Sequence, residues 1–282
     1  MEDVTLFEVG PRDGLQSRGL PVPTERKIAL IDALGRTGLQ KIEATSFVSP
    51  RWVPQMADAA EVMAGVRRLP GVRLAALAPN LRGLEAAIAA GCDEVAVFAS
   101  ASEGFSRANL NCSIEESFER FAPLMARAAE AGMPVRGYLS SVIACPYDGP
   151  TDPGEVARWS ARLLAAGCYE VALGDTIGAG RAETLAALLD RLLPHVPAAR
   201  LAGHFHDTAG RACEMVDLAL ARGLRSFDAS VGGLGGCPYA PGAPGNADTR
   251  QVLEVISAAG FRHGVDLAAL AEAEAIAGAL PA

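Results

Sequence analysis

Ala90-Gly91-Cys92-Asp93-Glu94-Val95-Ala96-Val97-Phe98 joins the end of a helix to a short β-rich run through one glycine. Glycine at the first position past a helix adopts the left-handed backbone conformation that stops it, so the phrase reads as a helix-to-strand loop. It recurs as Thr37-Gly38 before 39–43, Pro70-Gly71 before 72–77, and Ala131-Gly132 before 134–142. Two more copies are Ala166-Gly167-Cys168 before 169–173 and Arg222-Gly223 before 224–230. With the runs 4–9 and 200–204 added, eight strands alternate with eight helices, the pattern of parallel βαβ units.

Such units either close into a barrel or open into a doubly wound sheet, and two observations favour closure. A barrel of this type occupies about 250 residues as one domain, and none of the 282 residues here form an aperiodic stretch long enough to be a linker. The first strand runs into Gly10-Pro11-Arg12-Asp13-Gly14-Leu15-Gln16, a polar turn where a dinucleotide-binding sheet would carry Gly-x-Gly-x-x-Gly. The expectation is an α/β fold, a (β/α)8 TIM barrel forming a single domain over residues 1–282, with a C-terminal helical extension from about residue 266.

Half of the residues are hydrophobic and the mean hydropathy is +0.21, which supplies one large core. The net charge of -8, with no basic run longer than Arg67-Arg68, argues against nucleic acid or an anionic membrane as a main partner. The six cysteines, at 92, 112, 145, 168, 213 and 237, include no Cys-x-x-Cys pair, so neither a disulfide framework nor a thiolate zinc cluster is expected. The chain enters a strand-like run at Val4, and no apolar stretch approaches the roughly 20 residues of a membrane span. A soluble, cytoplasmic protein is expected.

In a barrel the carboxyl ends of the strands converge on one mouth. Strand 1 brings Arg12 and Asp13 there, strand 2 brings Glu43, Thr45 and Ser46, and strand 5 brings Arg136 and Tyr138, with Cys145 beyond. Strand 6 adds Asp175 and Thr176, and strand 7 adds His204, His206 and Asp207. Strand 8 leads into 232–246, where nine of fifteen residues are glycine or proline. That segment reads as a mobile lid carrying Cys237, or as a plain irregular connection. Cys237 itself is a nucleophile, an acid/base or an inert thiol.

His204 and His206 lie two apart at a strand end, so both imidazoles face one point. Together with Asp13 and Asn246 they give one carboxylate, two imidazoles and an amide oxygen from strands 1, 7 and 8, which are neighbours around a closed barrel. Mixed oxygen and nitrogen donors without thiolate suit Mg²⁺ or Mn²⁺ with open positions, and do not exclude zinc. Arg12 beside Asp13 is suited to a developing enolate oxygen, or else forms a surface ion pair. Glu43 holds a metal-bound water, Arg12, or a plain salt bridge.

The long motifs around these residues resemble the 3-hydroxy-3-methylglutaryl-CoA lyases among the DRE-TIM metallolyases. They are Glu8-Val9-Gly10-Pro11-Arg12-Asp13-Gly14-Leu15-Gln16, Thr45-Ser46-Phe47-Val48-Ser49-Pro50 and Trp52-Val53-Pro54-Gln55-Met56. Further on come Asn111-Cys112-Ser113-Ile114-Glu115-Glu116-Ser117-Phe118, Gly174-Asp175-Thr176-Ile177-Gly178 and Gly235-Gly236-Cys237-Pro238-Tyr239-Ala240. The resemblance implies retro-Claisen cleavage of 3-hydroxy-3-methylglutaryl-CoA into acetoacetate and acetyl-CoA, a divalent metal, and a homodimer. It also implies that Asp13, His204, His206 and Asn246 surround the metal, that Arg12 steadies the enolate, and that Cys237 protonates it. Gln16, Ser46, Arg136, Tyr138 and Asp175, with Glu43, then support those groups or touch substrate.

The chain departs from the family pattern at Ala209, where tyrosine is usual, and at Arg250, where glutamate is usual; both are expected to flank the site. These departures bear on the acyl group more than on the reaction. The nearest competing reading is therefore the same cleavage of citramalyl-CoA or a longer-chain 3-methylglutaryl-CoA homologue. A metal hydrolase is disfavoured because its His-x-His pair usually sits on strand 1. A non-catalytic CoA- or metal-binding barrel is disfavoured because competent residues fill every catalytic position.

Overall fold

The computed structural model describes residues 2–16, 18–236 and 245–281. Eight parallel strands close into a barrel in chain order: β1 Thr5–Glu8, β2 Lys41–Ser46, β3 Arg73–Leu77, β4 Glu94–Ser100, β5 Val135–Ser140, β6 Val171–Asp175, β7 Leu201–Phe205 and β8 Ser226–Ala229. β8 hydrogen-bonds to β1 in the register Phe7 to Asp228 and Glu8 to Ala229. All six glycines of the repeated phrase have positive φ, from 64° at Gly132 to 115° at Gly167; five follow a helix end directly, whereas the helix before Gly71 already ends at Gly65.

Alternation along the strands sorts two cores. Leu6, Ile42, Leu74, Val95, Val97, Leu139, Val171, Leu173, Leu201 and Phe227 face outward into one apolar layer shared with the helices. The inward positions are different: Phe7, Val9 and Ala75 form one small apolar group, and Leu77, Ala96, Tyr138, Ala172 and Ala202 another. Arg136, Glu43 and Asp228 are buried on the same inward face. The barrel lumen is thus packed partly with charge.

Two strands run further toward the mouth than the sequence suggests. β2 reaches Ser46 and β6 reaches Asp175, because neighbouring strands keep offering backbone partners: Thr45 pairs with Ala76 across a bulge after Glu43, and Asp175 pairs with Phe205. There are ten helices among the described residues, one more than the eight and the C-terminal extension that the sequence suggests. Two of them, Glu103–Leu110 and Ile114–Glu130, share the connection after β4, and Asn111 at φ 52° breaks the first before the Ser113/Glu116 capping box starts the second. The helix expected from about residue 266 is Leu267–Gly278, capped by Asp266 and packed against helix Thr24–Gly35. No described helix is long and apolar enough to cross a membrane.

Candidate metal centre at the barrel mouth

The end of β1 folds into a π-type turn, Gly10–Gly14, in which the amides of Asp13 and Gly14 both donate to the Val9 carbonyl at 2.8 and 3.2 Å. This turn presents Arg12 and Asp13 side by side. Its close seat requires glycine: a Cβ on Gly14 would lie 2.7 Å from both Leu234 Cβ and Ser230 Oγ. Glu8, fully buried, holds the turn in place by accepting from the amides of Gly10 (2.8 Å) and Val231 (2.9 Å) and from the Thr249 hydroxyl (2.6 Å).

Asp13, His204 and His206 converge there, with one potential ligand atom from each lying within 4.8 Å of the others. The two imidazole centroids are 5.3 Å apart. His204 Nδ1 lies 3.0 Å from Asp228 Oδ2, so the ring donates its Nδ1–H to the carboxylate and leaves Nε2 for a ligand. Burial alone would lower the His204 pKa, but Asp228 outweighs it and raises the value. His206 behaves oppositely: burial, with the neighbouring His204, pushes it down to about 4, so its ring is neutral at neutral pH.

Asp13 is held well below the usual carboxylate range, because Arg12 and both histidines outweigh a burial effect that acts the other way. Its Oδ1 accepts from Arg12 Nη1 at 2.5 Å and its Oδ2 from Asn246 Nδ2 at 2.8 Å. Asn246 also donates to the Leu234 carbonyl at 3.2 Å, which fixes the orientation of the amide. Hence the amide nitrogen meets Asp13, and Asn246 reaches the centre through that carboxylate.

Arg12 Nε donates to Glu43 Oε2 at 2.6 Å, and Tyr138 donates its hydroxyl to the same oxygen at 3.1 Å. Burial works against the Arg12 charge, but Glu43 and Asp13 outweigh it and raise its pKa. Glu43 Oε1 and Ser46 Oγ are buried without partners beside this cluster's strand end.

Other expected residues lie elsewhere. Arg136 sits at the start of β5, inside the lumen instead of at the mouth, making paired bonds to Asp228 (3.0 and 2.7 Å) and one to Glu170 (2.7 Å). The sequence gives the face of a strand residue but not its height along the barrel axis. Asp175 accepts the amides of Ala179 and Gly180 and so shapes the turn after β6. Gln16 is exposed at the end of the first turn. Arg250 does not flank the site: Glu274 binds it at 2.7 and 2.8 Å, tying two helices together. Ala209 is exposed in the turn after β7.

Cys237 lies outside the described residues. The chain on either side of it is fixed at the centre: a Cβ on Gly245 would meet Gly236 N at 2.5 Å, and one on Gly235 would meet Asn246 Nδ2 at 2.9 Å. Asp228 and Glu8 were missed by sequence reasoning. The available signal was an acid at an inward position of an apolar strand, Ser226-Phe227-Asp228-Ala229, and an acid directly before the Gly-Pro-Arg-Asp turn.

A divalent cation fits this donor set. One carboxylate and two imidazoles face a common point, Asp228 orients one ring, and the buried Nδ1 of His206 has no hydrogen-bond partner. Comparison with known proteins agrees with the barrel. The chain is 54% identical over 272 residues to the hydroxymethylglutaryl-CoA lyase of Pseudomonas mevalonii, covering 96% of this chain and 90% of the relative. It is also 54% identical over 270 residues to the 3-hydroxy-3-isohexenylglutaryl-CoA/hydroxymethylglutaryl-CoA lyase of Pseudomonas aeruginosa, with the same coverage of 96% and 90%. The crystal structure of the HMG-CoA lyase from Brucella melitensis superposes with a TM-score of 0.98 at 55% identity, covering 99% of each chain. The HMGL-like family model matches residues 3–276, and the chain belongs to that family.

Proposed function

We propose that this chain cleaves 3-hydroxy-3-methylglutaryl-CoA to acetoacetate and acetyl-CoA with Mg²⁺ or Mn²⁺ bound by Asp13, His204 and His206. The observation that carries the reading is the convergence of those three side chains beside the Arg12 guanidinium. The bound ion supplies Lewis acidity that lowers the pKa of a substrate hydroxyl.

Loss of the C3 hydroxyl proton turns that carbon into the ketone of acetoacetate. The electrons of the C2–C3 bond pass to C2, giving the enolate of acetyl-CoA, and a proton delivered to C2 makes the methyl group. Arg12 uses Nε on Glu43 and Nη1 on Asp13, so its Nη2 edge is left to donate to the thioester oxygen as it gains charge. Glu43 and Tyr138 hold that guanidinium in register, and Asn246 holds Asp13. Cys237, which follows Gly236 and lies outside the described residues, is the proposed proton donor.

The test is release of acetyl-CoA and acetoacetate from a panel of 3-hydroxyacyl-CoA thioesters with Mg²⁺, Mn²⁺ or chelator. Equimolar products from the methylglutaryl thioester, abolished by chelator, are expected; no cleavage of any thioester with either ion would contradict the proposal. One observation favours a second substrate, a longer-chain homologue: Ala209 is small and exposed in the turn after β7, three residues past His206. A homodimer acting in the cytoplasm completes the proposal, and light scattering and cell fractionation test these two points.

A further inference from the structure

The base of the barrel, the end away from the metal centre, holds a side chain that is connected to it. Glu170 immediately precedes β6, and its carboxylate, 13% exposed, accepts from Arg136 Nε at 2.7 Å. Four residues further along, Gly174 pairs with His204 on β7, which places Glu170 about 13 Å below the His204 backbone along the strand direction. Residues at this end of such a barrel ordinarily serve stability alone.

The contacts of Glu170 lead elsewhere. Arg136, 1% exposed, crosses the lumen from β5 to β8, with β6 and β7 lying between them. Its Nη1 and Nη2 donate to the two oxygens of Asp228 at 3.0 and 2.7 Å. Asp228 Oδ2 in turn accepts from His204 Nδ1 at 3.0 Å. Acid, cation, acid and imidazole thus alternate from the base to the mouth, each joined to the next by a direct hydrogen bond. The residue beside Glu170 belongs to another network: the Tyr169 hydroxyl accepts from Lys41 Nζ at 2.8 Å and donates to Glu94 Oε1 at 2.9 Å.

Glu170 acts on Arg136 in two ways. Holding Nε fixes one corner of a planar guanidinium whose opposite edge is forked onto Asp228, so the fork cannot pivot about that carboxylate. Glu170 also shares the one positive charge of Arg136 with Asp228. Without the Glu170 charge, Arg136 is left to Asp228 alone, and a carboxylate bound more strongly by a cation accepts less strongly from an imidazole. We infer that Glu170 is a positioning residue for the metal centre, acting from the opposite end of the barrel through Arg136 and Asp228 on the His204 ring.

Glu170→Gln keeps an acceptor for Arg136 Nε and removes the charge. On the lyase reading above, which supplies the ion, affinity of the full chain for Mn²⁺ followed by electron paramagnetic resonance should fall about fivefold, less than for Asp228→Asn because the change lies two hydrogen bonds further from the ring. The double variant Glu170→Gln with Asp228→Asn should bind no more weakly than Asp228→Asn, since the line is already cut there. Glu170→Asp keeps the charge one methylene short and should recover part of the affinity; it carries the same readouts if Glu170→Gln does not fold. Tyr169→Phe should bind Mn²⁺ as the parent does.

Unchanged affinity in Glu170→Gln overturns the inference. A loss that adds in full to that of Asp228→Asn, or that appears equally in Tyr169→Phe, also overturns it and reduces Glu170 to support of the barrel base. The metal-free chain gives a second readout, the His204 Nδ1 proton, identified in ¹H–¹⁵N spectra by its loss in His204→Gln. That resonance should move upfield in Glu170→Gln as its hydrogen bond weakens. If the parent binds no Mn²⁺, the metal-dependent lyase reading fails by itself, and the resonance still decides: an upfield shift supports the positioning role and an unmoved signal overturns it.

Discussion

His204 and Asp228 meet through one bond, Nδ1 to Oδ2 at 3.0 Å, and that bond decides which face of the imidazole is available at the barrel mouth. Asp228 is fully engaged: Arg136 takes both of its oxygens from inside the lumen, and the pair lies over the Phe7 ring at 4.5 Å from the guanidinium. Burial would raise the Asp228 pKa, but Arg136 and His204 outweigh it and lower the value. A chain of side chains from β5 through β8 to β7 thus ends on the free Nε2 of His204.

Asp228→Asn keeps the shape of that chain and removes its charge. Affinity for Mn²⁺ is expected to fall roughly 10- to 100-fold, as for other carboxylates that orient a ligating histidine. Titration followed by electron paramagnetic resonance checks this, with circular dichroism confirming the fold. Unaltered affinity would mean that the ion does not use the nitrogen left by this bond.

Glu8 gives a pH dependence of stability. Burial, partly offset by Thr249 and two backbone amides, pushes its pKa up from 4.5 to about 7. The folded value exceeds the unfolded one, so between them the folded chain keeps a proton the unfolded chain has released, and stability is lost as pH rises from about 4.5 to about 7. Glu8→Gln retains an acceptor for Gly10 and Val231 and a polar partner for Thr249 without titrating. Its melting temperature relative to the parent should therefore improve as pH is raised across that window, whereas a pH-independent difference would contradict the assignment. Glu8→Ala leaves three buried donors unpaired and should cost about 3 kcal/mol or more.

Arg12→Lys separates charge from geometry. Lysine keeps the cation but cannot span Glu43 and Asp13 while leaving a further edge for the thioester oxygen. A loss of about 100-fold in kcat, with a smaller change in KM, is expected in steady-state kinetics. A raised KM with kcat unchanged would place Arg12 in uniform binding alone.

Cys237→Ala tests the proton donor. Cleavage should be lost while thioester binding by calorimetry persists, and exchange of the acetyl-CoA methyl protons in deuterated water should stop with it. Exchange at the parental rate would remove the thiol from the reaction.

The helix-stopping glycines and the His-x-His pair were legible because both are local: one depends on backbone conformation, the other on the two-residue period of a strand. Asp13 was legible for the same reason, as the acid of a turn at a strand end. What joins distant strands was not. Arg136 was expected at the mouth and lies in the lumen, because the stagger of a closed barrel, which sequence period does not encode, sets which strand residues share a level. Asp228 passed as an ordinary strand residue until Arg136 and His204 were seen on either side of it, and Arg250 was expected near the site until Glu274 was seen to hold it.

Anomalous diffraction from crystals grown with Mn²⁺ tests the central claim most directly. The account predicts one strong peak at about 2.1 Å from an Asp13 carboxylate oxygen and from a ring nitrogen of each of His204 and His206. A peak bound elsewhere, or Mn²⁺ in the crystal with none at these three residues, would contradict it.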